Sequence, residues 1–329
     1  MSKQIVVVKG WEGFADRLQV LSHCMQYCIV NDASICVDWR DEMWGQGETD
    51  FHDYFELIGI DTIRIESVVE RMVSGATVYP SSWSISDIST PMNKLISMKN
   101  TANKNTDMLN DYTPIQSDII VIKNGFRKFH IMNMLQNLAF TKDVSEIVQS
   151  KIAKVVLPFT AVHLRGTDRM AESIETVIAN TILKYEQLPI YKKKRVFVLS
   201  DMKCMVDSWL EKQPHSIHTN PDNCISKIDM GAEKCEGTHT LPKEVYDYYG
   251  ISKREMNIDT LSDFVVLAMA NWCVGNIETE SCFTKMSRFI YNNAGHSGIS
   301  VWLGEGYVPP RAPYLSTGLP TDVSPKNFS

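Results

Sequence analysis

The opening 40 residues limit the possible folds more than any other stretch of this chain. Ile5-Val-Val-Val8 is a short, wholly apolar run of the kind that forms a strand buried on both faces. Gly10-Trp-Glu-Gly13 then brackets a turn. Phe14, Leu18, Leu21, Met25 and Cys28 follow at spacings of three and four, which is one face of a helix. Asn31-Asp-Ala-Ser34 reads as a loop and Ile35-Cys-Val-Asp-Trp39 as a second strand. Strand, helix, strand in that order predicts a parallel pair joined by a crossover helix, and therefore an α/β fold.

The alternation fades over residues 40–118, where polar and glycine-bearing segments predict long loops with short helices. Ile119-Ile-Val-Ile122 reads as a strand and residues 143–156 as a helix. From Phe159 the alternation returns. Strands are expected at 159–164, 195–199, 272–275 and 299–302, with helices at 173–187, 202–210, 258–270 and 281–293. A length of 329 residues, at ~150 per domain, suits two α/β halves. The expected division is 1–155, an N-terminal half; 156–303, a C-terminal half; and 304–329, a tail that holds 5 of the 13 prolines.

Composition excludes several classes. Thirty-nine acids against 33 bases leave a formal charge of −6, which argues against nucleic acid as the main partner, because neutralising phosphates needs a basic surface. No run of about 20 apolar residues is present, so no membrane span is expected. The first ten residues lack the layout of a secretory signal, and the expected compartment is the cytoplasm. The eight cysteines are irregularly spaced and predict reduced thiols, with Cys24 and Cys28 packing on the apolar face of the first helix.

Ligands of open α/β sheets bind beyond the carboxyl ends of the strands. The polar residues that follow the strands of the second half are therefore the candidates. They are His163-Leu-Arg-Gly-Thr-Asp-Arg169, then Ser200 and Asp201, then Glu278-Thr-Glu-Ser281 at a helix start. A lone Arg and Asp three residues apart is commonly just a surface ion pair. Several such groups at equivalent strand ends make an anion site. Arg165 can grip phosphate oxygens bidentately, and the amides near Ser281 add partial positive charge. Asp168, Asp201 and Asp263 are placed to accept from sugar or base donors, or to orient the arginines. Gly13 belongs to a turn before a helix, a weak phosphate-loop signal. There is no Gly-x-Gly-x-x-Gly, no Walker loop and no Asp-x-Asp pair. A cationic pyrophosphate site without metal fits these residues.

His163-Leu-Arg-Gly-Thr-Asp-Arg169 resembles the donor-site motif of the α1,6-fucosyltransferase superfamily. The opening Gly10-Trp-Glu-Gly-Phe-Ala-Asp-Arg-Leu18 and Ala33-Ser-Ile-Cys-Val-Asp-Trp-Arg40 are similar to the start of the bacterial nodulation fucosyltransferases. Asp263-Phe-Val-Val-Leu-Ala-Met-Ala-Asn271, Ser281-Cys-Phe-Thr284 and Arg288 resemble that family's C-terminal motif. The resemblance implies a GT-B-type fold, with two Rossmann-like domains facing across a cleft. It implies an inverting, metal-independent transfer of fucose from GDP-fucose to an oligosaccharide or glycan acceptor, with no cofactor. On that reading Arg165 binds the β-phosphate and aids departure of GDP, Asp168 orients the site, Asp263 lies near the guanine and Ser281 near the pyrophosphate. Glu172, just beyond the motif, is the candidate general base. Gly166 departs from the pattern, standing where several members carry a second arginine; Arg169 is the candidate replacement. The alternatives are a glycosyltransferase of the same fold with another nucleotide-sugar donor, or a non-catalytic binding descendant.

Two further groupings invite a functional reading. His215, His218, Cys224, Cys235 and His239 are ligand-type residues whose spacing matches no common zinc layout, which predicts an irregular loop. Trp44 lies in a polar stretch, and is expected to stack on acceptor sugar more than Trp39, which ends a strand.

Overall fold

A computed structural model describes residues 3–10, 13–92, 114–123, 130–166, 172–224, 241, 243–275, 282–304 and 306–311. The chain forms two compact units, Met1–Val144 with His239–Asn257, and Ser145–Thr238 with Ile258–Ser329.

The first unit begins as its sequence dictates. β1 (Ile5–Lys9) is wholly buried, α1 (Phe14–Asn31) follows, and β2 (Ser34–Asp38) pairs parallel to β1 with Val6 opposite Ile35. Asp32 ends α1 in a left-handed conformation (φ 48°), a role that a short polar side chain tolerates. After β3 (Phe55–Leu57) comes α2 (Ile65–Val73), then β4 (Val78–Tyr79), α3 (Ile85–Ser89) and β5 (Ile119–Ile122). The sheet runs β2-β1-β5-β4, all parallel. α4 (Ile131–Gln136) leads to β6 (Leu138–Phe140), which pairs antiparallel with β3. α2 lies in the stretch expected to be loop-rich. Its Ile65, Val68, Val69 and Met72 keep helical spacing, and they pack with Trp83, Ile88 and the β1 and β5 side chains into one core.

Trp44 corrects the expectation of a sugar platform. It is 4% exposed and stacks on Phe14 at 5.4 Å, with Tyr54 at 5.2 Å and Trp39 at 5.5 Å edge-on. Its polar neighbours are the rim of an aromatic core, so burial of the indole settles its role.

The second unit begins at Ser145, within α5 (Lys142–Lys151), and continues with β7 (Thr160–Leu164), α6 (Ile174–Glu186), β8 (Val196–Ser200), α7 (Lys203–Lys212) and β9 (Ile217–His218). The chain returns to the first unit for α8 (Lys243–Tyr249) and the first residues of α9 (Lys253–Met269). β10 (Trp272–Gly275) and α10 (Cys282–Ser300) follow. The sheet order is β10-β7-β8-β9, again all parallel. Val162, Leu164, Val198, Met205 and Trp209 are among the buried side chains that fill the layer between sheet and helices, each fully buried large one worth about 1.5–3 kcal/mol. The strand expected at 299–302 is instead the end of α10 and a 3-10 turn, Val301–Leu303. Ile299, Trp302 and Leu303 are buried at a spacing of three and four; a short apolar run does not distinguish strand from buried helix by itself.

Cys24 and Cys28 are buried thiols on α1, as their spacing predicts. Among the described residues no helix is long and apolar enough to cross a membrane.

Candidate functional site

In the second unit, a parallel sheet delivers the residues after β7 and β8 to one edge. β7 and β8 are in register, with Leu164 opposite Ser200, so Arg165 and Asp201 emerge side by side. Arg165 Nε lies 3.2 Å from Asp201 Oδ2, and the amide of Gly166 donates to Asp201 Oδ1 at 2.7 Å. One carboxylate therefore holds both the guanidinium and the backbone bend that carries it. The pair is not sealed: the side chains are 19% and 9% exposed. Ser200 Oγ accepts from the Met202 amide at 3.0 Å and closes the turn into α7.

Gly166 has a steric reason. A Cβ there would strike the Sδ atoms of Met202 and Met205, so no larger residue enters unless both thioethers move. A second arginine in that position is incompatible with this packing.

His163 is buried in β7 and its Nδ1 lies 2.8 Å from Thr284 Oγ1 on α10. Burial pushes its imidazole down to about 4, against the pull of Asp201, while Arg165 adds to the depression. It is a neutral ring at pH 7, fixed in orientation. Asp263 on α9 faces the same region. Burial, and then the charges of Asp259 and Asp201, hold its carboxyl well above the usual range, with Lys151 opposing. Asp259, one turn earlier, is the better satisfied of the two. It is paired with Lys151 at 2.7 Å and accepts from Asn220 Nδ2 at 3.0 Å and the Cys224 amide at 2.7 Å. Burial and the neighbouring like charges thus favour the protonated form of Asp263.

The structure therefore gathers His163, Arg165, Asp201 and Asp263. It places Glu172 at the surface before α6, where it accepts from Asn180 Nδ2 at 3.3 Å. Gly13 belongs to the first unit. It is the N-cap of α1, with extended backbone, and its carbonyl accepts from the Asp16 and Arg17 amides at 3.1 Å each. Asp168, Arg169 and Ser281 lie outside the described residues, as do Cys235 and His239. Among the described residues no group of three or more His, Cys, Asp or Glu side chains is arranged to hold a metal ion.

Sequence reasoning did not identify Asp259, and it placed Thr284 in a motif without foreseeing its contact with His163; both roles depend on partners far away in the chain. It also did not pair the charges at the corresponding edge of the first unit. There Lys9 Nζ donates to Asp38 Oδ2 at 2.6 Å, and Arg17 grips Asp41 through two bonds of 2.7 Å. Arg17 lies over the Trp39 and Trp44 rings, 5.5 and 5.8 Å from their centroids. Gly10 is obligatory beside them, since a Cβ would collide with Arg17 Nη1 and the Trp39 ring.

No family model matches this chain, and no curated protein matches it. Solved structures do. The chain is similar to the NodZ α-1,6-fucosyltransferase co-crystallised with GDP, with a TM-score of 0.57 and 16% identity over 87% of this chain and 92% of that one. It is similar to the fucosyltransferase NodZ from Bradyrhizobium, at 0.56 and 15% over 87% and 93%. It is also similar to NodZ soaked with GDP-fucose, at 0.56 and 16% over 87% and 92%. At this identity the likeness establishes the fold, α/β and GT-B-type, with a Rossmann-like parallel sheet in each unit.

Proposed function

We propose that this chain is a glycosyltransferase that moves fucose from GDP-fucose to a glycan acceptor, without metal and with inversion. The observation that carries the proposal is the Arg165–Asp201 pair at the carboxyl edge of β7 and β8, in a fold shared with a fucosyltransferase that was co-crystallised with GDP. Arg165 supplies a fixed positive charge where a leaving diphosphate develops its own negative charge. Because Asp201 holds the guanidinium before substrate arrives, little reorganisation is needed at the moment of bond breaking. His163, neutral and anchored on Thr284, gives a hydrogen-bonding wall that adds no charge. Asp263 offers a carboxyl at the same edge for the donor's base. Ser281 and the pair Asp168 and Arg169 complete the donor site in this reading. Glu172 is the base that takes the acceptor hydroxyl's proton as the oxygen attacks the anomeric carbon.

Release of GDP from GDP-fucose in the presence of chelator and a panel of oligosaccharides tests this. Turnover that survives chelator is the expected result. Failure of GDP-fucose to bind, alongside binding of another sugar nucleotide, overturns the donor assignment. That second outcome is the alternative reading, a transferase of the same fold with a different donor. Gly166 favours it: with Met202 and Met205 packed over it, one arginine familiar from the resemblance has no room. A donor that is bound but neither hydrolysed nor transferred would identify a binding descendant.

A further inference from the structure

At the amino edge of the second unit's sheet, the opposite end from Arg165 and Asp201, a short 3-10 turn, Ile190–Lys193, leads through Lys194 and Arg195 into β8. β8 is five residues long, which puts about 16 Å between this turn and the donor edge. The turn is fixed in place. The Thr160 hydroxyl donates to the Lys192 carbonyl at 2.6 Å, the Lys192 amide donates to the Pro189 carbonyl at 2.9 Å, and Lys193 Nζ donates to the Glu186 carbonyl at 2.6 Å. Nothing in the donor chemistry above uses it.

Its surface brings two kinds of side chain together. Ile190 is 79% exposed and Tyr191 41%. Tyr191 meets Trp272, the half-buried first residue of β10, edge-on at 5.7 Å. Lys192, Lys193, Lys194 and Arg195 supply four consecutive cations in a chain of net charge −6, and among the described residues none of the four is in an ion pair. Lys192 Nζ lies 5.3 Å from the centroid of the Trp272 ring and 5.9 Å from that of Tyr191.

Cations without carboxylate partners call for an anionic occupant, and the other side chains decide its kind. A sugar or a nucleobase stacks on ring faces, and Lys192 already covers one face of each ring. A soluble polyanion makes no use of an isoleucine held out in water. A second copy of this chain, packed through the same patch, brings the same cations face to face. An anionic lipid surface answers every feature. Its phosphates take the lysines and the arginine, Tyr191 and Trp272 suit the headgroup level, and Ile190 reaches the acyl boundary. We propose that this edge of the second unit docks on an anionic membrane surface without crossing it, which leaves Arg165 and Asp201 at the far end of the sheet.

The intact chain, with no donor added, is sedimented with vesicles of phosphatidylcholine alone and with vesicles containing about a third phosphatidylglycerol. Binding to the anionic vesicles only is expected, with release at about 0.5 M salt. Lys194→Ala, at an exposed position, is expected to weaken that binding about fivefold. Ile190→Ser is expected to weaken it at least about fivefold. Both variants should keep the parent's melting temperature. Soluble heparin serves as the comparison polyanion. Four outcomes overturn the proposal. In the first, the anionic vesicles are not bound. In the second, the neutral vesicles are bound equally well. In the third, binding survives Lys194→Ala unchanged. In the fourth, Ile190→Ser holds both heparin and the anionic vesicles as tightly as the parent does, which makes the patch a general polyanion site. No transfer reaction enters the measurement, so its failure and that of the glycosyltransferase reading are separate events.

Discussion

The two units carry the same architecture and use their charges in opposite ways. Each has a four-stranded parallel sheet with charged residues at the carboxyl edge of its inner strands, and each sets a glycine just past one of those strands. In the first unit the charges are consumed internally. Arg17 and Asp41 are 1% and 0% exposed and doubly bonded to each other, and Lys9 is spent on Asp38. In the second, Arg165 and Asp201 are joined by one longer contact and keep part of their surface in water. A buried pair with all its bonds made is framework, and breaking it strands a charge; a half-open pair can accept a ligand without that cost.

The contrast can be tested by substitution. Arg17→Ala leaves the Asp41 carboxylate buried without its guanidinium, and should cost about 3–5 kcal/mol in chemical denaturation. A loss under about 1 kcal/mol, within the range of surface pairs, would erase the distinction between the units. Arg165→Ala should do the reverse. Stability should change little, while turnover of GDP-fucose falls by about 3 kcal/mol of transition-state stabilisation, near a hundredfold. Unchanged turnover would make Arg165 framework as well.

pH provides a third test. His163 folds as a neutral ring with its pKa down at about 4, below the 6.5 of an exposed histidine. The unfolded chain therefore binds the extra proton first. This part of the stability is complete above pH 6.5 and is lost as the pH falls towards 4. Between pH 7 and pH 5 the loss should be about 2 kcal/mol. His163→Asn, which can keep a hydrogen bond to Thr284, should flatten that segment of the stability profile. A profile as steep as the parent's would assign the acid sensitivity to other groups. The smallest effect concerns Gly166. Gly166→Ala should cost about 1 kcal/mol, because the thioethers of Met202 and Met205 can swing aside. Loss of folding altogether would mean that this corner is as rigid as the one at Gly10.

Local pattern made some of this legible beforehand. The unbroken apolar runs at 5–8 and 119–122 read as buried strands and form β1 and β5, and the spacing of Phe14, Leu18, Leu21 and Met25 reads as a helix and forms α1. The same period was present at Ile65, Val68, Val69 and Met72, masked by the polar sequence around it. Trp44 shows the opposite case: its neighbours in sequence are polar, its neighbours in space are Phe14, Trp39 and Tyr54, and only the second set decides burial. At the site, Arg165 and Asp201 could be singled out because both follow strands. That one holds the other depends on β7 and β8 pairing in register, which brings the aspartate back to Gly166 from 35 positions further along the chain.

By itself the sequence determined the α/β alternation, the parallel strands and the positions in the chain where polar groups would reach a sheet edge. These follow from periodicity and from the rule that a strand, a helix and a strand close into a parallel pair. Tertiary structure alone decided which charges are paired and which face water. Arg17 with Asp41 and Arg165 with Asp201 are the same two residue types, and they differ in how completely the surrounding side chains exclude solvent, which depends on packing between segments distant in the chain.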